Sequence, residues 1–360
     1  MSDSKFSPTS LLVTGGAGFI GSNFINSFVS RNPDCRVINL DVLTYAGNLK
    51  NLKAVEGNHR YRFVKGDIGD APLVASILSD EKIDAVVHFA AESHVDRSIT
   101  GPEIFVRTNV LGTQILLEES RKHWQSGVVT DFRYYQISTD EVYGSLGETG
   151  HFTEETPLAP NSPYSASKAG ADLLVRAYHE TFGMPAVISR CSNNYGPYHF
   201  PEKLIPLLIA NIIAKKPLPV YGDGTNVRDW LHVQDHASAI ECILKGAKPG
   251  SVYNIGGNNE WKNIDIVHLV CDLLDSRLGR QSGENRGLIT FVKDRPGHDR
   301  RYAIDASKLK SDLGWSPEYT FEIGIAETID WYLANQQWVA DITSGSYRDY
   351  YQQQYGGGAV

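Results

Sequence analysis

Leu11-Leu12-Val13-Thr14-Gly15-Gly16-Ala17-Gly18-Phe19-Ile20-Gly21 is the stretch whose reading decides the fold. Four uncharged residues make a short buried strand, and a glycine run follows without a spacer. Glycines at 15, 18 and 21 allow a tight turn, close approach of backbone to a pyrophosphate, and close packing of the next helix. That helix, predicted over 19–30, offers its positive N-terminus to phosphates. A Gly-rich turn alone is a weak signal. Here it follows a strand and opens a helix. The next strand, over 36–40, ends in Asp41, and 41 − 21 = 20 residues is the expected offset of a ribose-binding acid. A carboxylate there accepts from the ribose 2′-OH and repels a 2′-phosphate. NAD rather than NADP is therefore the expected cofactor.

The alternation continues outward. Strands are predicted over 62–65, 85–89, 132–137, 185–190 and 252–255, with helices between them. Asp67, just past the third strand, faces an adenine edge or caps the helix entered at Pro72. Ala90 and Ala91 follow the fourth strand and let a cofactor lie close. Helices over 102–123 and from Tyr164 to about 182 carry apolar residues at helical spacing, which cover the sheet or pair across a two-fold axis. From Cys191 the pattern loosens: 193–197 and 200–204 read as loops leading to a helix, 233–245 as a helix, and 321–335 as the last one. This is an α/β chain with a Rossmann-type, doubly wound parallel sheet. The expected division is a NAD-binding domain over 1–190 plus about 227–257, interleaved with a smaller C-terminal substrate-binding domain over about 191–226 and 258–345. Residues 346–360 are a tail, its Gly356-Gly357-Gly358 run expected to be disordered.

The chemistry-bearing residues cluster after the fifth strand, in Ser138-Thr139-Asp140-Glu141-Val142-Tyr143-Gly144. Ligands bind outside the carboxyl ends of the strands of an open parallel sheet. Two adjacent carboxylates there are costly to bury and are rarely kept for packing. Downstream, in Tyr164-Ser165-Ala166-Ser167-Lys168, the separation 168 − 164 = 4 puts phenol and ammonium on one helix face. A phenol working near neutral pH needs a cation beside it, because free Tyr titrates near ~10. Hydroxyl, carboxylate pair, phenol and ammonium are parts for moving protons.

Composition excludes several classes. Of 360 residues, 41% are hydrophobic and 21% charged, as in ordinary globular proteins, and the net charge of −8 argues against a nucleic-acid or anionic-membrane partner. Cys35, Cys191, Cys242 and Cys271 have no C-x-x-C spacing and are expected to be free buried thiols. No metal site is expected. Residues 1–10 are polar without a signal-peptide pattern, so a cytoplasmic enzyme is the expectation.

Together, the strand–GxxGxxG–helix start, Asp41 and the Tyr164/Lys168 pair resemble the extended short-chain dehydrogenase/reductase family. Within it, the chain is similar to nucleotide-sugar 4,6-dehydratases over nearly its whole length. Further matching stretches are Ala90-Ala91-Glu92-Ser93-His94-Val95-Asp96, Asn193-Asn194-Tyr195-Gly196-Pro197 and Asp294-Arg295-Pro296-Gly297-His298. The resemblance implies Tyr164 as base on a sugar hydroxyl, Lys168 lowering its pKa and holding the nicotinamide ribose, and Thr139 paired with the phenol. It implies Asp140 as acid and Glu141 as base in a dehydration, an order that spacing alone does not set. Related 4-epimerases carry small or neutral residues at these two positions. For NAD the implied set is Gly15, Gly18, Phe19, Ile20, Gly21, Asp41, Thr44, Asp67, Ile68, Phe89, Ala90, Ala91, Ser93, Thr108, Tyr164, Lys168 and Asn194.

For the substrate, implied to be dTDP-glucose, the same resemblance adds Ser93, Asn193, Lys203, Leu204, Arg228, Asn263, Arg295 and His298, with Pro219 and Tyr221 at the base. Arg228 also reads as half of a local ion pair in Val227-Arg228-Asp229-Trp230. A homodimer through the 102–123 and 164–182 helices is expected. A 4-epimerase would have little use for Asp140 and Glu141. A dehydratase of another nucleotide sugar would differ in the base pocket, and a non-catalytic NAD-binding regulator would need no intact Thr139, Tyr164 and Lys168.

Overall fold

The structure, a computed structural model, describes residues 6–294 and 299–343. In chain order the first half comprises β1 (Ser10–Thr14), α1 (Phe19–Arg31), β2 (Arg36–Asp41), β3 (Tyr61–Lys65), α2 (Ala71–Asp80), β4 (Ala85–His88), α3 (Val95–Thr100), α4 (Pro102–Phe105), α5 (Thr113–Gln125), β5 (Arg133–Thr139) and α6 (Pro163–Phe182). The second comprises β6 (Ala186–Cys191), β7 (Asn193–Tyr195), α7 (Leu204–Ile213), β8 (Leu218–Tyr221), β9 (Val227–His232), α8 (Val233–Gly246), β10 (Val252–Ile255), β11 (Glu260–Lys262), α9 (Asn263–Arg277), β12 (Ile289–Val292), α10 (Ser307–Leu313), α11 (Phe321–Ala334) and α12 (Gln336–Ile342).

Seven strands form one parallel sheet in the order β10-β6-β5-β4-β1-β2-β3. β1 lies between β2 and β4, where the order reverses, so its carboxyl end opens the crevice that such sheets use for ligands. β1 is buried at every residue, as expected of a parallel strand covered on both faces. One face packs Phe24 and Phe28 of α1 against Ile240 and Ile243 of α8, and the other packs Val74, Leu116 and Val175 from α2, α5 and α6. A third apolar cluster joins α7, α9 and α11 around Trp230 and Phe321.

Two local readings change. Residues 102–125 are not one regular α-helix: Val106–Gly112 is a π-helical segment between α4 and α5. The stretch read as a loop at 193–197 begins with β7, which pairs with β9, Asn193 opposite Trp230. All four cysteines are free; Cys35, Cys191 and Cys271 are buried and Cys242 is half-buried. Among the described residues no helix is long and apolar enough to cross a membrane. The tail at 346–360 lies outside the described residues.

Under the carboxyl end of β5 lies a buried ion pair, Arg190 Nε to Asp172 Oδ2 at 2.9 Å. Arg190 also donates to the Tyr143 hydroxyl at 3.0 Å, and that hydroxyl donates to Asn254 Oδ1 at 2.8 Å. Removing one partner strands a charge, so Arg190→Ala should cost roughly 3–5 kcal/mol, read from urea unfolding. A loss near zero would mean that water or repacking satisfies Asp172.

Candidate active site

A cleft of about 530 Å³ runs along the carboxyl edge of the large sheet and continues between α7, β8 and α9. Its floor starts at the β1–α1 turn. Gly15 sits at φ 70°, and a Cβ there would stand 2.6 Å from Ala90 N. A Cβ on Gly21 would stand 2.5 Å from Gly15 O. Gly18 occupies the N-cap of α1, and no capping side chain accepts from the first N–H groups of the helix there. This cradle fits a dinucleotide pyrophosphate.

Asp41 ends β2, its Oδ2 accepting from Ala17 N at 2.9 Å and Oδ1 from Leu43 N at 2.8 Å. It braces the Gly-rich turn, and each oxygen keeps a lone pair for a ribose hydroxyl. Thr44, Asp67 and Ile68 line the same end, and Phe89, Ala90, Ala91, Ser93 and Thr108 the middle. Asp67 accepts from Gly69 N at 2.7 Å; the N-cap of α2 is Asp70 instead.

The Thr139 side chain accepts from Glu141 N at 3.3 Å, capping the single 3₁₀ turn that carries both carboxyls. Asp140 is 1% exposed, and its buried Oδ2 has no hydrogen-bond partner among the described residues. Burial, then the charges of Glu141 and Asp229, push its pKa well above the usual carboxylate range, against the opposing pull of Arg228 and the Thr139 hydroxyl. Glu141, its neighbour, is only half-buried.

α6 begins at Pro163 after a Ser162/Ser165 capping box, which fixes where Tyr164 and Lys168 emerge. Lys168 is buried and its Nζ donates to Ile137 O at 2.8 Å. Burial first, then Glu141, Cys191 and Asp140, push Tyr164 well above its ordinary value, and only the Thr139 hydroxyl offsets them. Two carboxyls thus stand near the phenol, while the Lys168 ammonium donates to a strand carbonyl.

At the far end the cleft meets Asn193, Lys203, Leu204, Pro219, Tyr221, Arg228 and Asn263, with Asn194 between the two halves. Arg228 donates to Val227 O at 2.7 Å and Asp299 O at 2.8 Å, its guanidinium 4.4 Å from the Tyr302 ring centroid. Asp229 instead turns to the N–H groups of Gly257 and Asn259. Arg295 and His298 lie outside the described residues. Three contributors were not anticipated. Asn109, in the π segment, bonds Glu92 N at 2.8 Å, Glu92 O at 2.9 Å and Ser167 Oγ at 2.9 Å, tying the 92–96 loop to α6. Asp172 lies four residues beyond Lys168, a spacing that could have flagged it. Cys191 lines the cleft beside Thr139, its register partner.

A Rossmann-type sheet with Tyr, Lys and Thr converging at its carboxyl edge defines an extended short-chain dehydrogenase/reductase. The chain belongs to the family described as GDP-mannose 4,6 dehydratase, whose model matches residues 12–328. A dTDP-glucose 4,6-dehydratase of Xanthomonas campestris pv. campestris is 61% identical over 341 residues, 94% of this chain and 97% of its own. The crystal structure of a dTDP-glucose 4,6-dehydratase from Bacillus anthracis in complex with NAD superposes with a TM-score of 0.83 at 49% identity, covering 93% of this chain and 99% of its own. A UDP-glucose 4-epimerase from Thermotoga maritima reaches 0.80 at 25% identity, covering 91% and 99%.

The environment of Asp140 has a measurable consequence. Unfolded, it titrates in the ordinary carboxylate range; folded, it titrates higher. Between the two the folded state holds the extra proton, so stability falls as pH rises through that window. Asp140→Asn removes this loss and should melt higher than the parent at neutral pH, with the gap closing below the ordinary carboxylate range. Thermal melts across pH check it; a lower melting temperature at neutral pH would mean that Asp140 is folded as a paired anion.

Proposed function

We propose that this chain converts dTDP-glucose to dTDP-4-keto-6-deoxyglucose and water. The observation that carries the reading is the buried Asp140, whose surroundings raise its pKa and whose Oδ2 has no partner among the described residues, beside half-buried Glu141 in the cleft that holds Tyr164 and Lys168. NAD, when bound, supplies the acceptor for the C4 hydride and returns that hydride to C6. Tyr164 takes the proton of the C4 hydroxyl. The 4-ketone acidifies C5–H, and Glu141 takes that proton. Asp140 protonates the C6 hydroxyl as its bond breaks, and water leaves. Glu141 gives its proton back to C5. Over one cycle Tyr164 gains a proton and Asp140 loses one, and Thr139 Oγ1 stands 3.3 Å from Asp140 Oδ1, on the path between them.

The described residues named for NAD and for the substrate line the two ends of the cleft, and we assign Lys203 and Arg228 to the diphosphate and Pro219 and Tyr221 to the base. The proposed division keeps the NAD domain at 1–190 plus about 227–257 and the substrate domain around it. We also propose a cytoplasmic homodimer. Val106 and Leu173 are each 55% exposed and Leu111 49%, an apolar surface shared by the 102–123 and 164–182 helices. Sedimentation reads the dimer directly.

Incubation with dTDP-glucose and NAD should give a product lighter by one water. An unchanged mass with inverted C4 would replace this reading with an epimerase. Tyr164→Phe should abolish the first oxidation, whereas Glu141→Gln should still show reduced-cofactor absorbance in a single turnover and then stall. Asp140→Asn should slow dTDP-glucose turnover by ~10²–10⁴-fold, the usual worth of general acid help. It should slow a 6-fluoro analogue far less, since fluoride needs less assistance. Equal slowing of both substrates would take the acid role from Asp140.

A further inference from the structure

Asn194 is held by two neighbours, and their chemistry fixes its orientation. Its amide nitrogen donates to Ser192 O at 2.9 Å and lies 3.4 Å from Cys191 Sγ. A backbone carbonyl only accepts, so the group facing Ser192 is the NH₂ and the group facing away is the carbonyl. That carbonyl, Oδ1, meets His236 Nδ1 at 2.9 Å. Nδ1 must therefore carry a proton. His236 is fully buried on α8 and its Nε2 has no hydrogen-bond partner among the described residues. A second proton there would be a buried, unanswered donor on a buried cation, the costlier state. Burial pushes the imidazole pKa down to about 3, in the same direction.

The residues just before His236 on α8 also reach outward to the site's supports. Gln234 donates to Asn23 Oδ1 at 2.9 Å, and Asn23 in turn holds Phe19 O and Pro197 O. Asp235 accepts from the N–H groups of Glu318 and Tyr319 at 3.0 Å. α8 is thus a brace behind the cofactor cleft, and His236 is its contact to a residue that lines that cleft.

We infer that His236 is a positioning residue: a neutral imidazole whose Nδ1–H donates to Asn194 Oδ1 and so sets which atoms of the Asn194 amide face the nicotinamide end of the cleft. With one lone pair of Oδ1 held by His236, the other is left for an amide donor of the cofactor. The inference rests on NAD occupying this cleft as proposed, not on the identity of the sugar.

The test uses the full-length protein stripped of nucleotide. His236→Phe keeps an aromatic ring and removes the donor; His236→Asn returns an N–H near the Nδ1 position. NAD and dTDP affinities are measured separately by calorimetry, without turnover. His236→Phe should weaken NAD about tenfold, the size of one buried hydrogen bond, and leave dTDP unchanged. His236→Asn should recover most of the NAD affinity. Equal loss for both ligands, or no recovery in His236→Asn, would make His236 a packing residue and overturn the inference. Unchanged NAD affinity in His236→Phe would overturn it as well. Failure of the parent to bind dTDP would instead refute the substrate reading and leave the NAD comparison intact. Should His236→Phe not fold, nitrogen-15 spectra of histidine-labelled parent decide the point. A resonance pair lost in His236→Asn should show the Nδ1–H neutral tautomer, and an Nε2–H tautomer or a doubly protonated ring would overturn the assignment.

Discussion

The Lys168 ammonium and the Ile137 carbonyl, 2.8 Å apart, form the contact on which the geometry of the cleft depends. A cation buried this deeply has no water to turn to, and burial alone depresses its pKa. A strand carbonyl satisfies part of its need, and the nearby carboxylate of Asp172 pulls the pKa back up. β5 is an interior strand of the sheet, so the contact ties the start of α6 to a well-supported strand tip. Tyr164, one turn earlier on α6, is thereby set beside Thr139. Behind Asp172 stand Arg190 and Tyr143, so the charge that supports Lys168 is itself held.

Much of this was legible in the sequence, for reasons particular to parallel sheets. Strands covered on both faces read as largely apolar runs, and 11–14, 85–89 and 132–137 stood out on that account. The Gly-rich turn was readable because its glycines answer local demands: Gly15 and Gly21 leave no room for a Cβ. What was missed depends on partners far along the chain. β7 is three residues long and exists through its pairing with β9. The π segment keeps the apolar spacing of an α-helix, so composition cannot mark it, yet it presents Asn109 to both Glu92 and Ser167. His236 has a partner 42 residues earlier, and nothing in its own neighbourhood names Asn194.

The comparison with the Thermotoga maritima epimerase separates scaffold from chemistry. At 25% identity it superposes nearly as well as the Bacillus anthracis dehydratase does at 49%. A sheet, a Gly-rich turn and a cleft at the strand ends therefore define where a nucleotide sugar can be oxidised, but not the fate of the oxidised sugar. The distinction has to sit in side chains set on the shared frame, and in this cleft the Asp140–Glu141 pair is the one we propose for the dehydration.

Two adjacent carboxyls can serve as acid and base together only if their environments differ. Identical surroundings would leave them sharing one proton between equivalent sites, as like-charge pairs do. Here the backbone makes the difference. β5 ends at Thr139 and the chain turns into a single 3₁₀ turn, so Asp140 points back into the protein while Glu141 stands at the half-open wall. Asp140 meets burial, Glu141 and Asp229, which all favour its neutral form, and the nearby Arg228 charge and the Thr139 hydroxyl do not reverse the sum. The upward shift of the Asp140 pKa thus depends on where the strand ends, because that end decides which of the two carboxyls is turned into the protein.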